Sequence, residues 1–273
     1  ARLLIAGAFA AVTGGEHARI TQWASEAADL ARPGDPFVLA LASIWQAAPL
    51  MLPEPDVARA LMDDARAAAA ATQSRLCHGF VDCWSMTEEL CAARSPAAPS
   101  PGDAERFGGR DSWGWSGAVQ VGSIALAEQG RLTDALALVA QFSPLDPAPH
   151  NALGYQVMVT AIAGAPDEAR RLAAEFIVEV DRFSDVVWHA ELVLALAICH
   201  LHDDDRATAF AYLETAKRAP MFQPFWYELR RRYASQARAG LDENAIADTK
   251  QRCRLLTVAS ILDHELRAHR RAP

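Results

Sequence analysis

Gly130 to Pro147 reads GRLTDALALVAQFSPLDP, and the spacing of its apolar residues decides the class of fold. Leu132, Ala135, Leu136, Val139 and Phe142 recur three and four positions apart, so they form one stripe on a helix of about three turns. Gly130 ends the helix before it. Asp146 and Pro147 open the helix after it, the aspartate capping free N–H groups and the proline sitting where no intrahelical N–H is needed. A helix this short cannot bury its stripe alone, so similar neighbours must cover it.

Working outward, the same turn recurs. Gly15, Pro53, Gly130, Gly164 and Asp204 each fall between two helical patterns. Five positions on stand Ile20, Ala58, Ala135, Ala169 and Ala209, where the paired helices cross and a small side chain lets them close. Four further on are Ala24, Met62, Val139, Ala173 and Leu213, and three beyond those are Ala27, Ala65, Phe142, Phe176 and Ala216. Gly130 to Gly164 is 34 residues and Gly164 to Asp204 is 40, a period that two-helix units stacked in series produce.

The rest of the chain follows that plan. A first helix is expected over residues 2–13 and a second over 16–31, with Ile20, Trp23, Ala27 and Leu30 on one side. Asp35-Pro36 caps the third, which runs to about residue 51. The fourth, over 56–72, places Val57, Ala58, Leu61, Met62 and Ala65 inward, and the fifth, over 73–93, carries Leu76, Phe80, Trp84 and Leu90. An irregular loop at about 94–112 follows, with SPAAPSPGDAERFGGRDS at Ser95–Ser112 holding three prolines and three glycines that forbid a full-length helix. Helices resume at about 113–129, 131–143, 147–163, 165–180, 184–202, 205–218 and 222–238, and the chain closes with a long C-terminal helix at about 241–268. No segment combines strict alternation with β-branched enrichment, so no sheet is expected. The reading is one all-α helical-repeat domain over residues 1–273.

Composition narrows the function classes. Apolar residues make up 51%, and 26 Lys+Arg against 34 Asp+Glu give a net charge of -8. That balance disfavours direct contact with nucleic acid or with an anionic membrane. The basic spots at Arg230–Arg232 and Arg267–Arg271 lie near helix C-terminal ends, where the dipole favours cations. Five cysteines, odd in number and unevenly spaced, argue for reduced, buried thiols and a cytoplasmic protein rather than a disulfide framework. The opening RLLIAGAFAAV is too short to span a bilayer and fits the first helix of the array. Because the chain opens inside one helix and stops just past another, it is expected to be a segment of a longer polypeptide.

The unit LAEQGRLTDALALVAQFSPLDP at Leu126–Pro147 resembles a tetratricopeptide repeat, and GAPDEARRLAAEF and DDDRATAFAYLETAKRAP are similar to it. At a coarser level GEHARITQWASEAADLARPGDP and DVARALMDDARAAAAATQSR resemble the degenerate repeats of large bacterial regulators, in which an ATPase domain precedes the repeats and a LuxR-type DNA-binding domain often follows. The resemblance implies a right-handed superhelix of antiparallel helix-turn-helix units, with the first helix of each hairpin lining the concave side. Gln120, Asn151, Met158, Glu191, Leu194 and Ile198 are the inward residues on that reading. The lining is apolar with a few uncharged polar groups, which suits a small-molecule inducer or an apolar peptide. It lacks the Lys/Asn/Arg set with which some relatives clamp a peptide carboxylate.

Catalytic and metal signatures are weak. No GxxxxGK[ST] phosphate loop is present, so no nucleotide cofactor is expected. His200 and His202 are followed by Asp203–Asp205, but two histidines one residue apart on a helix point to different sides, and the aspartates suit a cap. Cys77, Cys83 and Cys91 share a helix but Cys77 and Cys91 lie about 21 Å apart along it. Glu88-Glu89 reads as a solvated pair. The stronger lead is Trp113-Gly-Trp115, where the irregular loop re-enters the repeats and two large rings either cover a groove or partner or plug the next hairpin. The function expected is a non-catalytic sensor or interaction scaffold of a transcriptional regulator, partnered by neighbouring domains of the same polypeptide or by another protein. The alternative is a freestanding adaptor between two proteins.

Overall fold

The computed structural model describes residues 1–5, 7, 17–31, 34–142, 151–183, 188–219, 221 and 223–271. Among these the regular structure is helical throughout, with no strand. The chain divides into two compact units, one of Ala1–Ala125 with Gln141–Asp146 and one of Leu126–Ala140 with Pro147–Pro273.

In the first unit α1 (His17–Ala31), α2 (Pro36–Ala47), α3 (Pro55–Ala70) and α4 (Arg75–Cys91) each pack on the next, and α2 also meets α4. Residues 2–5 and 7 are helical; the remainder of the expected 2–13 helix and the Gly14-Gly15 turn lie outside the described residues. Asp35 caps α2 by accepting from the Val38 N–H at 3.3 Å, with Pro36 as the first helical residue. A 3-10 turn over Ala48–Leu50 ends that element. Ser74 caps α4 through the Cys77 N–H. The Asp146-Pro147 cap also lies outside the described residues.

α5 (Trp113–Glu128) leads into the second unit, built from α6 (Leu132–Val139), α7 (Asn151–Ile162), α8 (Pro166–Phe183), α9 (Trp188–His202), α10 (Arg206–Ala216), α11 (Pro224–Ala239), α12 (Glu243–Cys253) and α13 (Val258–Arg271). From α6 to α12 each helix packs on a near neighbour in sequence, and α7 with α9, α9 with α11 and α10 with α12 meet across one intervening helix. The contacts are thus between helices that lie near one another in sequence. α13 departs from that order, folding back on α8, α9 and α10.

The repeated turns share one geometry. Gly130, Gly164 and Asp204 all sit at positive φ, and the next N–H returns to a carbonyl five residues back: Arg131 to Leu126 at 3.0 Å, Ala165 to Thr160 at 3.1 Å and Asp205 to His200 at 2.9 Å. That closure needs a left-handed residue, which glycine supplies without steric cost. The crossing positions Ile20, Ala58, Ala135, Ala169 and Ala209 are all buried, as are Ala24, Met62, Val139, Ala173 and Leu213.

Several expectations are corrected. Leu30, Val57 and Leu76 are exposed, because a wide apolar stripe overhangs the area its neighbours cover. Within the irregular 94–112 loop, by contrast, no full-length helix forms: Ser100 and Asp103 form a capping box on the short 3-10 helix Pro101–Glu105, and Ala104 and Phe107 are buried. Glu88 is not solvated; its carboxylate is mostly buried and takes Arg59 at 3.3 Å and Arg66 at 3.2 Å. The long C-terminal helix is two helices, α12 and α13, broken over residues 254–257. The Arg218 guanidinium donates to the carbonyls of Cys253 and Leu256, both at 2.8 Å, and Thr257 starts α13 by accepting from the Ser260 N–H at 3.1 Å.

Candidate functional site

The first unit holds a cavity of about 520 Å³ whose walls are fixed by helix crossings. α2 contributes Phe37, Leu41 and Trp45, α4 contributes Leu76, Cys77 and Phe80, the start of α5 contributes Trp113 and Gly114, and Arg2 and Ile5 close one side. The aromatic wall is rigid: Trp45 meets Phe80 with ring centroids 5.8 Å apart and stands edge-on to Trp84 at 5.3 Å. Such tilted pairs add to area burial and hold each ring's rotamer.

Glycines let α4, α5 and the Phe107 turn approach closely. A Cβ on Gly79 would stand 2.1 Å from the Phe107 carbonyl carbon, and one on Gly114 would stand 2.6 Å from the Gly79 carbonyl carbon. Ser112 completes the corner, donating to the Phe107 carbonyl at 2.5 Å and accepting from the Trp115 N–H at 3.0 Å. None of Gly79, Phe107 or Ser112 stood out in the sequence. Ser112 three residues before Trp115 is a cap signal that could have been read; the glycine contact had no local signal.

The structure separates the two tryptophans. Trp115 is fully buried, its indole N–H donating to the Gln141 carbonyl at 3.3 Å, whereas Trp113 is 44% exposed at the cavity mouth. Residues two apart on a helix face different ways, so one ring plugs the fold and the other reaches the opening. Gln120, Met158, Glu191, Leu194 and Ile198 are all buried, where the resemblance places them on a concave lining. α9 explains three of them: it packs on α7, α8, α10, α11 and α13, and residues 190–199 of it are all buried. The Asn151 side chain lies outside the described residues.

The polar groups that line the cavity are Arg2, Cys77, Asp111 and Ser112. Arg2 pairs with Asp35 at 3.1 Å, and burial pushes the Cys77 thiol above its usual range, which keeps it protonated and a poor nucleophile at neutral pH. The five cysteines are free and buried. The His200–Asp205 segment has other partners than a metal: His202 Nε2 meets the Ala161 carbonyl at 3.0 Å, and His200 faces carboxylates instead. No group of three potential metal ligands gathers among the described residues, and none of their helices is long and apolar enough to cross a membrane.

No family model, characterised protein or solved structure matches the chain. Fold and site define an all-helical protein with an aromatic-walled cavity in its first unit.

Proposed function

We propose that this chain is a non-catalytic sensor region that takes a small apolar molecule in the cavity of its first unit. On this reading it belongs to a larger bacterial transcriptional regulator, as a right-handed array of tetratricopeptide-like hairpins coupled to neighbouring domains. The observation that carries the proposal is the open cleft of about 520 Å³ lined by Phe37, Trp45, Phe80 and Trp113. It falls in the size range of small-molecule sites and has their composition, mostly apolar with a few polar groups at the edge. A flat, largely apolar ligand would stack on Trp113 and be held by the Trp45–Phe80 wall. Occupancy would alter the relative stability of conformations that differ in the α2–α4–α5 packing, which is how binding is transmitted.

Titration with the fluorescent apolar anion anilinonaphthalene sulfonate tests the reading. Saturable binding is expected at one site per chain, weakened roughly ten-fold by Trp113→Ala, the loss of one stacking aromatic. Because Trp113 is half-exposed, its removal should leave the fold intact. Binding that is unchanged in Trp113→Ala, or no binding at all, would count against the site. Partner capture that needs Trp113 and Leu76 while no small molecule competes would favour the adaptor instead.

A further inference from the structure

The second unit contains a separate cavity of about 460 Å³ between α8, α9 and α13. Its apolar sides are formed by Ala174, Ile177, Leu196 and Leu266, and its ionisable lining groups are Arg170, His200 and Glu265 with Asp167, His264 and His269. The way these charged groups are partnered indicates what the cavity accepts.

Arg170 and Glu265 are each only partly partnered. The Arg170 guanidinium donates to Asp203 through Nη2 alone; its ion pair with Asp167 is long, 3.7 Å, to a fully exposed carboxylate. Nε and Nη1 therefore keep N–H donors to spare. Glu265 accepts from Tyr212 at 2.6 Å and meets His200 at 3.0 Å, both through Oε1, so Oε2 remains an open acceptor. Arg170 and Glu265 line the same cavity and stabilise each other's charge at a distance, without a direct ion pair. Asp203 balances the arginine, and His200, itself held by Asp205 at 3.3 Å, stands against the glutamate. A ligand carrying one net charge would leave either the spare guanidinium donors or the spare carboxylate oxygen unmatched. A zwitterion satisfies both and brings no net charge into a largely apolar space.

We infer that this cavity binds a free α-amino acid with an apolar side chain, its carboxylate on Arg170, its ammonium on Glu265 Oε2 and its side chain against Ile177, Leu196 and Leu266. The site is independent of the first-unit cavity and does not rest on the function proposed for it. It also gives α13 a role, because Glu265 and Leu266 come from the helix that folds back out of the stacking order.

Calorimetric titration of the whole chain with L-leucine and L-phenylalanine tests the assignment, with L-leucinamide and N-acetyl-L-leucine as the forms lacking one charge each. One of the two amino acids should bind saturably, and each single-charge analogue should bind more than about ten-fold more weakly, the loss of one charge-assisted contact. Glu265→Gln should weaken leucine and leave N-acetyl-leucine unchanged, which a merely structural role would not do. Ala268→Trp, on the exposed rim of the cavity, should block binding without altering the helical circular dichroism, and Trp113→Ala should have no effect. No heat with either amino acid at millimolar concentration, or equal binding of the single-charge analogues, would overturn the assignment.

Discussion

Replacing Gly79 with alanine is the most direct test of how the first unit is assembled. The added Cβ would lie 2.1 Å from the Phe107 carbonyl carbon and 2.2 Å from its oxygen, where ordinary contact begins at 3.4 Å. The backbone must therefore part by about 1.3 Å, and no rotamer can relieve it because the obstacle is main chain. Inserting one methyl into a packed core costs ~1–3 kcal/mol, and a backbone obstacle puts this case at the upper end. Alanine's better helix propensity returns about 1 kcal/mol, leaving a net loss of about 2 kcal/mol. Urea unfolding followed by helical circular dichroism measures it. Gly102→Ala is the control, since its nearest neighbour would be the Ser100 side chain at 3.6 Å, and it should fall within about 0.5 kcal/mol of the parent. Gly114→Ala intrudes on the same space, so the double variant should cost less than the two single losses added. A Gly79→Ala protein as stable as Gly102→Ala would refute the close approach of α4, α5 and the Phe107 turn.

Other outcomes follow from single groups. Ala93 sits at φ 54, so Ala93→Gly should raise stability by about 1 kcal/mol by relieving left-handed strain, read as a higher urea midpoint. Removing the Arg218 guanidinium should cost about 1 kcal/mol and speed hydrogen exchange over residues 254–257, because the Cys253 and Leu256 carbonyls lose their donor. Burial works to raise the Glu265 carboxyl, but hydrogen bonds from His200 and Tyr212 outweigh it and hold the group below its usual 4.5. A lowered folded value means the stabilisation is full above about 4.5 and lost as the pH falls through the lower folded value, so stability should drop below pH 4.5 less steeply in Glu265→Gln than in the parent. Burial pushes the Cys83 and Cys199 thiols up to about 12; both should resist a thiol reagent at pH 8 in the folded chain and react on unfolding.

The sequence by itself determined what depends on neighbours three to five residues away. Helix type, the Asp35 and Asp205 caps, the left-handed turns at Gly130 and Gly164, and the small residues at Ala58, Ala135, Ala169 and Ala209 are all local in that sense. Each is settled by backbone geometry within one turn, so spacing reveals it. Thr257 with Ser260 was also a legible cap, masked by an apolar pattern that carries on across the break. Tertiary structure alone decided which surfaces were covered. Trp113 and Trp115 are indistinguishable in local pattern, and only the position of Gln141 and the Phe107 turn buries one and leaves the other open. Met158, Leu194 and Ile198 are placed in a groove by the resemblance to curved repeats, and neither it nor periodicity reports how many helices will pack on an apolar face. The Glu265–His200 contact spans 65 residues and depends on α13 folding back. Nothing in the local spacing could have announced it, since such a contact is set by where whole helices come to rest.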